Sequence, residues 1–382
     1  MKYLIISDAA SMHVYNFIRF FLADSGYDIT VLRHSVQKIP EQYQQFYDEH
    51  NIKIFTPSKP IDRKGPVITV KRFFRKLAFL KKYGKADVCH IHYAHSVSCL
   101  LYLLFRRNFR HLIVTFWGTD ILNPPKRERF MQQKVMPYAD RITVTVKNSE
   151  QVFRNRFGNG YNDRLKVVHF PSGGVPKIKE MSEKYTKAEC RAQFNVPDGK
   201  LLAVCGYNSD PDQRQDICLE EIAKLTDAEK KKLHLIIPMQ YGKKDEAYTA
   251  RVKDAAAKCG CSYEILEQYV PFERNAVMCL ATDIYINVRV SDAFSNAMKE
   301  QITAGSFMIQ GDWMKYIEVD EMHAPVKKIS DLSELHTALE EVLSTVKFDD
   351  ENRIYMPMYE IFAPDSLKRE WQAIFDSVLQ ED

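Results

Sequence analysis

The sequence predicts an α/β protein made of two doubly wound parallel-sheet domains, and three observations predict it. Short runs of β-branched and aromatic residues alternate with amphipathic helical stretches along nearly the whole chain, and strand–helix–strand alternation means parallel strands with helices on both faces. The alternation breaks once, at Pro171-Ser172-Gly173-Gly174-Val175-Pro176, and a charged stretch then runs to Pro197-Asp198-Gly199; prolines and glycines at both ends read as a linker. A chain of 382 residues is long for one core and suits two. The expected division is 1–180 and 181–364, with the final helix, 365–382, packing back on the first domain.

In order, the first domain's expected strands are Tyr3–Ile6, Ile29–Leu32, Lys53–Phe55, Val88–Ile91, Leu112–Thr115, Ile142–Val146 and Leu165–Val168. Apolar residues at helical spacing fill the gaps, as in His13–Ala23, Lys71–Lys82 and Ser149–Arg156. The second domain's strands are Leu201–Cys205, Leu233–Ile237, Tyr263–Leu266, Asp283–Ile286 and Phe307–Ile309, and the chain closes with helices over Asp331–Leu343 and Ser366–Leu379. Doubly wound sheets bind ligands at the carboxyl ends of their strands, and two such domains are expected to bind in the cleft where they face each other.

Composition excludes several classes. A net charge of +4 gives no global field for nucleic acid, so no nucleic-acid partner is expected. The eight cysteines are scattered with no Cys-x-x-Cys pair, which reads as reduced core thiols rather than a disulfide or zinc framework. Cys259-Gly260-Cys261 alone is too little to hold zinc. Met1-Lys2 leads directly into Tyr3–Ile6 and Asp8, so the start reads as a buried strand and not a secretory leader. No apolar run is long enough to span a bilayer, and the expected location is the cytoplasm.

The most informative segment is Ser291-Asp292-Ala293-Phe294-Ser295-Asn296-Ala297-Met298-Lys299-Glu300, between the strand Asp283–Ile286 and a helix ending near Gly305. A strand, a loop of small polar residues and a helix N-terminus make an anion site: the amides of Phe294, Ser295 and Asn296 would face a phosphate. Glu300, two turns on, would reach a ribose. The plainer reading makes Asp292 the helix N-cap and Glu300 a solvated surface residue.

Asp292-x7-Glu300, with Ala-Phe-Ser-Asn inside it and Ala304-Gly305 after it, resembles the acidic-x7-Glu signature of retaining GT-B glycosyltransferases, notably family 4. The resemblance implies the GT-B fold, with two Rossmann-like domains. It also implies that the first acid contacts the donor sugar, the following amides hold the diphosphate and the last Glu holds the ribose. This chain has Asp where that family usually has Glu. Val204-Cys205-Gly206-Tyr207-Asn208-Ser209-Asp210 resembles the same family's phosphate-binding turn, which implies donor-binding roles for Gly206 and Asn208. Tyr207 stands where an Arg is usual, and Arg214 would serve for the family's Lys. A departing diphosphate needs a cation, and Arg214, Lys243, Lys244 and Arg289 are the candidates. Together with Ile236–Gly242 and Tyr269-Val270-Pro271-Phe272, this turn is also similar to the TDP-N-acetylfucosamine:lipid II N-acetylfucosaminyltransferase family. There an Arg matches Arg289, and Tyr269 and Val270 would lie near the nucleobase.

In the first domain, Asp87-Val88-Cys89-His90-Ile91-His92-Tyr93 ends a strand, and alternate residues of a strand share a face, so both imidazoles face the same way. The residue pattern alone fits a metal pair or a satisfied core histidine; the resemblance assigns His92 to the donor-sugar side. Thr115-Phe116-Trp117-Gly118-Thr119-Asp120 matches the family's Gly-x-Asp loop. Asp120 either faces the acceptor hydroxyl or closes the loop as an Asx-turn. His13 follows Ser7–Ser11, where family members carry a Gly-rich loop and a His. Asp210-Pro211-Asp212 reads as turn chemistry rather than a metal motif, and no metal or cofactor is expected.

The expected reaction is hexosyltransferase-type: a sugar passes from a nucleoside-diphosphate sugar to the hydroxyl of a glycan or lipid-linked acceptor. It is retaining and metal-independent, in bacterial-type surface glycan synthesis. His92, Asp120 and Asp292 are the expected catalytic residues. The donor set is Gly206, Asn208, Arg214, Arg289, Phe294, Ser295, Asn296, Glu300, Tyr269 and Val270. Two other readings compete: a nucleotide-sugar epimerase of the same fold, and a catalytically silent partner subunit. The basic amphipathic segment 71–83, with Leu100–Arg110 after it, reads either as a peripheral membrane contact or as a helix covering the sheet.

Overall fold

The computed structural model describes residues 1–58, 65–243, 245–348, 351 and 354–379. The chain divides into two units, Met1–Pro171 with Pro364–Asp382, and Ser172–Ala363.

The first unit holds seven strands: β1 (Lys2–Ser7), β2 (Asp28–Arg33), β3 (Lys53–Phe55), β4 (Ala86–His92), β5 (Phe109–Phe116), β6 (Arg141–Val144) and β7 (Leu165–Val167). They form one parallel sheet in the order β3-β2-β1-β4-β5-β6-β7. The strand order reverses between β1 and β4, and a ligand crevice forms outside the carboxyl ends at such a reversal. β1 is apolar without alternation because both its faces are buried. Leu4 and Ile6 enter one core with Cys89, Ile91 and Val114, while Tyr3 and Ile5 enter the other with Phe17, Val31 and Ile113. The closing helix, Pro364–Leu379, sets Trp371, Ile374, Phe375 and Val378 into the second of these cores. The expected helix 13–23 begins as the α-helix Met12–Phe17 and widens to i→i+5 bonding over Ile18–Leu22, with the Ala23 amide donating to the Ile18 carbonyl at 2.8 Å.

The second unit holds β8 (Leu201–Cys205), β9 (Leu233–Pro238), β10 (Ser262–Leu266), β11 (Ile284–Asn287), β12 (Phe307–Gly311) and β13 (Val326–Ile329). They form a parallel sheet in the order β10-β9-β8-β11-β12-β13, reversing between β8 and β11. Its core joins Ala203, Leu235, Ile237, Ile284 and Ile309 to Leu335 and Leu339. All eight cysteines are free and buried.

The expected linker is helical. Helices Gly174–Lys184 and Lys187–Ala192 belong to the second unit. Pro176 falls in the first turn, where its missing N–H costs nothing, and Val175, Ile178 and Met181 line the buried side. Thr186 and Glu189 close the next helix start with a reciprocal capping box.

Candidate active site

In the second unit, the loops after β8, β11 and β12 converge. Gly206 has φ +68°, and a Cβ there would meet Gln213 Oε1 at 2.8 Å, so only glycine lets the chain turn this tightly at the reversal point. Asn208 is buried and its Oδ1 accepts the Asp210 amide at 3.0 Å, shaping the turn rather than facing outward. Residues 211–213 form a 3-10 turn and the Asp212 carbonyl accepts the Val290 amide, so Asp210-Pro211-Asp212 is turn chemistry. Asp210 Oδ1 accepts the Lys243 amide at 2.6 Å, and its carboxylate lies 3.7 Å from Arg289 Nη2. Lys244 lies outside the described residues.

Arg289 donates to the Tyr207 hydroxyl, and its guanidinium sits 5.5 Å from the centre of that ring. The cation absent at position 207 is thus supplied from the end of β11. Arg214 has left-handed backbone (φ +57°) and lies 5.6 Å from the Trp313 ring centre. Trp313 Nε1 in turn donates to the Arg289 carbonyl at 2.7 Å. Two guanidinium groups are therefore tied to the same turn through aromatic faces.

Asp292 is not the helix N-cap; Ser295 is, for the helix Asn296–Thr303. Asp292 Oδ2 accepts from the Ser295 amide at 3.1 Å and from the Tyr316 hydroxyl at 2.7 Å, and Oδ1 accepts the Ala293 amide at 2.9 Å. The expected trio of phosphate-facing amides is thereby reduced, because the Ser295 amide is already used. The amides of Phe294 and Asn296 have no protein acceptor among the described residues. Phe294 itself is in left-handed conformation (φ +63°), a strain of about 1–3 kcal/mol for a bulky residue. It is held by packing on Tyr316 and Phe362.

Glu300 is not solvated; it is 7% exposed. Its carboxylate accepts from Ser172 Oγ and Asn275 Nδ2, each at 2.9 Å, and burial raises its pKa to about 7. A Cβ on Gly174 would collide with this carboxylate, so the Ser-Gly-Gly run packs against Glu300. Neighbouring Lys299 is also buried, its Nζ 4.6 Å from the Phe362 ring centre, and burial lowers its pKa to about 8. Tyr269 is 68% exposed and Val270 half-buried, in the loop after β10.

In the first unit, His90 and His92 do share a face, with ring centres 3.9 Å apart. His90 is a satisfied core histidine: Tyr3 Oη lies 2.7 Å from Nδ1 and Thr115 Oγ1 2.6 Å from Nε2. His92 is 0% exposed and packs against Phe17, Trp117 and Phe170. Neither of its nitrogens has a partner, and burial lowers its pKa to about 3, so it is neutral. His13 lies edge-on to Trp117 beside it.

Asp120 closes its loop and does not face an acceptor. Oδ1 accepts the amides of Trp117 (2.9 Å) and Gly118 (3.0 Å), and Oδ2 that of Ala94 (2.9 Å). The group is fully buried, and burial raises its pKa to about 6.

The aromatic face of the helix Pro66–Tyr83 is not free: Phe73, Leu77, Phe79, Leu80 and Tyr83 pack on the first sheet. Val67, Val70 and Phe74 remain exposed beside Lys71. A cavity of about 1400 Å3 runs between this helix and the strands β2 and β3, lined among others by Ile54, Phe55, Phe79, Lys38 and Lys82. No helix among the described residues is long and apolar enough to cross a membrane.

Sequence reasoning missed Ser172, Asn275, Trp313 and Tyr316. The last two follow β12, at the same carboxyl edge as the flagged loops, so the edge itself was the signal that could have found them.

Residues 2–151 match the family described as glycosyl transferase 4-like. No curated protein matches the sequence. The chain is similar over its full length to a solved glycosyltransferase from Rickettsia africae (13% identity, 100% of both chains, TM-score 0.72). It is similar to Anabaena HepE in complex with UDP (12% identity, 99% of this chain and 100% of that one, TM-score 0.70). It is also similar to sucrose-phosphate synthase from Thermosynechococcus elongatus (14% identity, 100% and 97%, TM-score 0.67). The fold is GT-B, and with a glycosyl transferase 4-like first domain the chain is of the glycosyltransferase class.

Proposed function

We propose that the chain transfers a sugar from a nucleoside-diphosphate sugar to an acceptor hydroxyl, with retained configuration and no metal, in surface glycan synthesis. The observation that carries this is the second unit's reversal point, where Arg289, the free amides of Phe294 and Asn296, and buried Glu300 converge. In this reading the diphosphate lies against Arg289 and those amides, and Glu300 accepts from the ribose. Asp292 orients the sugar. A helix N-terminus and a guanidinium stabilise the charge that develops on the leaving phosphate, which then takes the acceptor's proton. His92, neutral and unpartnered, donates to the sugar. UDP in the complex of HepE supports a nucleoside diphosphate as the common ligand. Retention follows from the resemblance of the 292–300 segment to family 4. The likeness to N-acetylfucosaminyltransferases enters here as a second source for a lipid-linked acceptor, and the apolar cavity with Lys38 and Lys82 on its lining supports such a chain.

The test is a thermal-shift panel of UDP, GDP, dTDP and their sugars, since a ligand that binds only the folded state raises Tm. One base should stand out, and its gain should be lost in Glu300→Ala and Arg289→Ala. No shift with any nucleotide would leave the silent-subunit reading in place. Turnover of donor alone to an isomeric sugar would replace transfer by epimerisation.

A further inference from the structure

The inward face of the helix Pro66–Tyr83 contains a residue that does not belong there. Phe73, Lys76, Leu77 and Leu80 stand at i, i+3, i+4 and i+7, the spacing of a core stripe, and three of them are apolar. Lys76 is nonetheless 5% exposed. Its ammonium has neither a carboxylate nor a hydrogen-bond acceptor among the described residues. A buried ammonium without a partner is among the costliest groups a fold carries.

Its surroundings add positive charge instead of cancelling it. Arg72, His34 and His95 all act on it or are acted on by it as like charges. The rings of His34 and His95 lie nearly parallel with centres 5.9 Å apart, and His34 Nδ1 is buried without a partner. The nearby carboxylates are spoken for. Asp8 is held by Arg33 at 2.8 Å, by Ser35 and by the Ala10 amide, and Glu128 sits 3.1 Å from His95 Nε2. The group opens outward at His95, whose side chain is 39% exposed.

The position is that of a ligand site. His34 follows β2 directly, His95 follows β4, and Asp8 follows β1, so the cluster stands over the carboxyl ends that flank the first sheet's reversal. Tyr93, between β4 and His95, is in left-handed conformation (φ +62°), and the loop is pinned by the His95 amide donating to the Tyr93 carbonyl.

We propose that Lys76, His34 and His95 form an anion subsite for a phosphate group carried by the acceptor. It rests on the transferase reading for the word acceptor, but the site itself stands on the first unit alone. An entering phosphate supplies the acceptor that Lys76 and His34 Nδ1 lack, and charge-assisted bonds of this type are the strong ones.

Lys76→Met separates a binding lysine from a structural one. Without phosphate, in a chloride buffer, the variant should be more stable than wild type, with Tm up by about 2–4 °C, because it removes an unpaired buried charge. Inorganic phosphate should raise the Tm of wild type saturably and leave Lys76→Met unmoved. A hexose 6-phosphate and hexyl phosphate, tested alongside, distinguish a sugar-borne from a lipid-borne phosphate by which exceeds inorganic phosphate. His34→Gln should weaken the phosphate response without abolishing it. A lower Tm or failure to fold of Lys76→Met, or an equal phosphate response in both proteins, overturns the proposal. The nucleotide panel reads the second unit separately: its gain should persist in Lys76→Met, so loss of the transferase reading and loss of this subsite give different results.

Discussion

Asp120 in the first unit and Glu300 in the second are both buried carboxylates whose pKa burial has raised, yet they do opposite work. Asp120 accepts from three backbone amides, whose polarity is fixed. Glu300 accepts from a serine hydroxyl and an asparagine amide, each of which can turn round and accept instead. A carboxylate clamped by amides is part of the chain's own geometry. One held by reversible side-chain partners keeps lone pairs and a choice of partner, which is what a ligand needs. Burial alone does not mark a binding acid; the kind of donor does.

Asp120→Asn would break the comparison most violently. Its new NH2 would confront at least one amide N–H that cannot reverse, leaving buried donors unsatisfied, so stability should fall by about 2–4 kcal/mol in urea unfolding. Nucleotide affinity should be unchanged at temperatures where the variant is folded. A silent Asp120→Asn would remove the structural role assigned to this residue.

Glu300→Gln should behave in the reverse sense. Glu300 titrates near 7 in the folded chain against about 4.5 when unfolded, so the folded state binds more protons between those values and loses stability as pH rises through them. That cost is complete above pH 7 and absent below about 4.5. Glutamine avoids it, so the variant should be more stable by up to about 3 kcal/mol at pH 8, with the gain gone at pH 4. Its nucleotide Kd should rise about tenfold, roughly 1.4 kcal/mol. A variant less stable at pH 8 would make Glu300 a structural acid like Asp120.

His92 extends the contrast within the first unit. It has no partner on either nitrogen, where His90, two residues earlier, has one on each. His92→Leu should raise stability by about 1 kcal/mol by removing orphaned polar atoms, and lower kcat at least tenfold while nucleotide affinity holds. Loss of stability with turnover intact would make His92 a core residue only.

What the sequence made legible follows the same division between fixed pattern and context. Twelve of the strands stood out because their apolar runs are uninterrupted; β13 did not, because Lys327 and Lys328 sit in the middle of a four-residue edge strand. Edge strands carry lysine where interior ones cannot. The 171–199 segment read as linker because three inward apolar residues at spacing three were outnumbered by charges. The 292–300 segment was visible as a motif, but its supports, Ser172, Asn275 and Tyr316, lie 24–128 positions away and carry no local signal. Lys76 was read as one cation among many, although its place in the apolar stripe was present in the sequence.

The smallest effect concerns the shorter acid. Where family 4 usually has Glu, Asp292 has one methylene less, and the Tyr316 hydroxyl donates to it at 2.7 Å while accepting from Asn287 Nδ2 at 3.1 Å. Tyrosine thereby fixes the carboxylate from the β12 side, and Asn287 fixes the tyrosine. Tyr316→Phe removes one hydroxyl from this chain with no change of ring packing on Phe294. The expected loss is about 1 kcal/mol in stability, leaving Asn287 to find another acceptor. Because the carboxylate becomes free to rotate while the diphosphate contacts are untouched, kcat should fall several-fold with KM for the donor nearly constant. If KM rises instead and kcat holds, Asp292 contributes to donor affinity and not to orientation of the sugar. The hydroxyl of Tyr316 would then matter to the fold of the loop and not to the reaction.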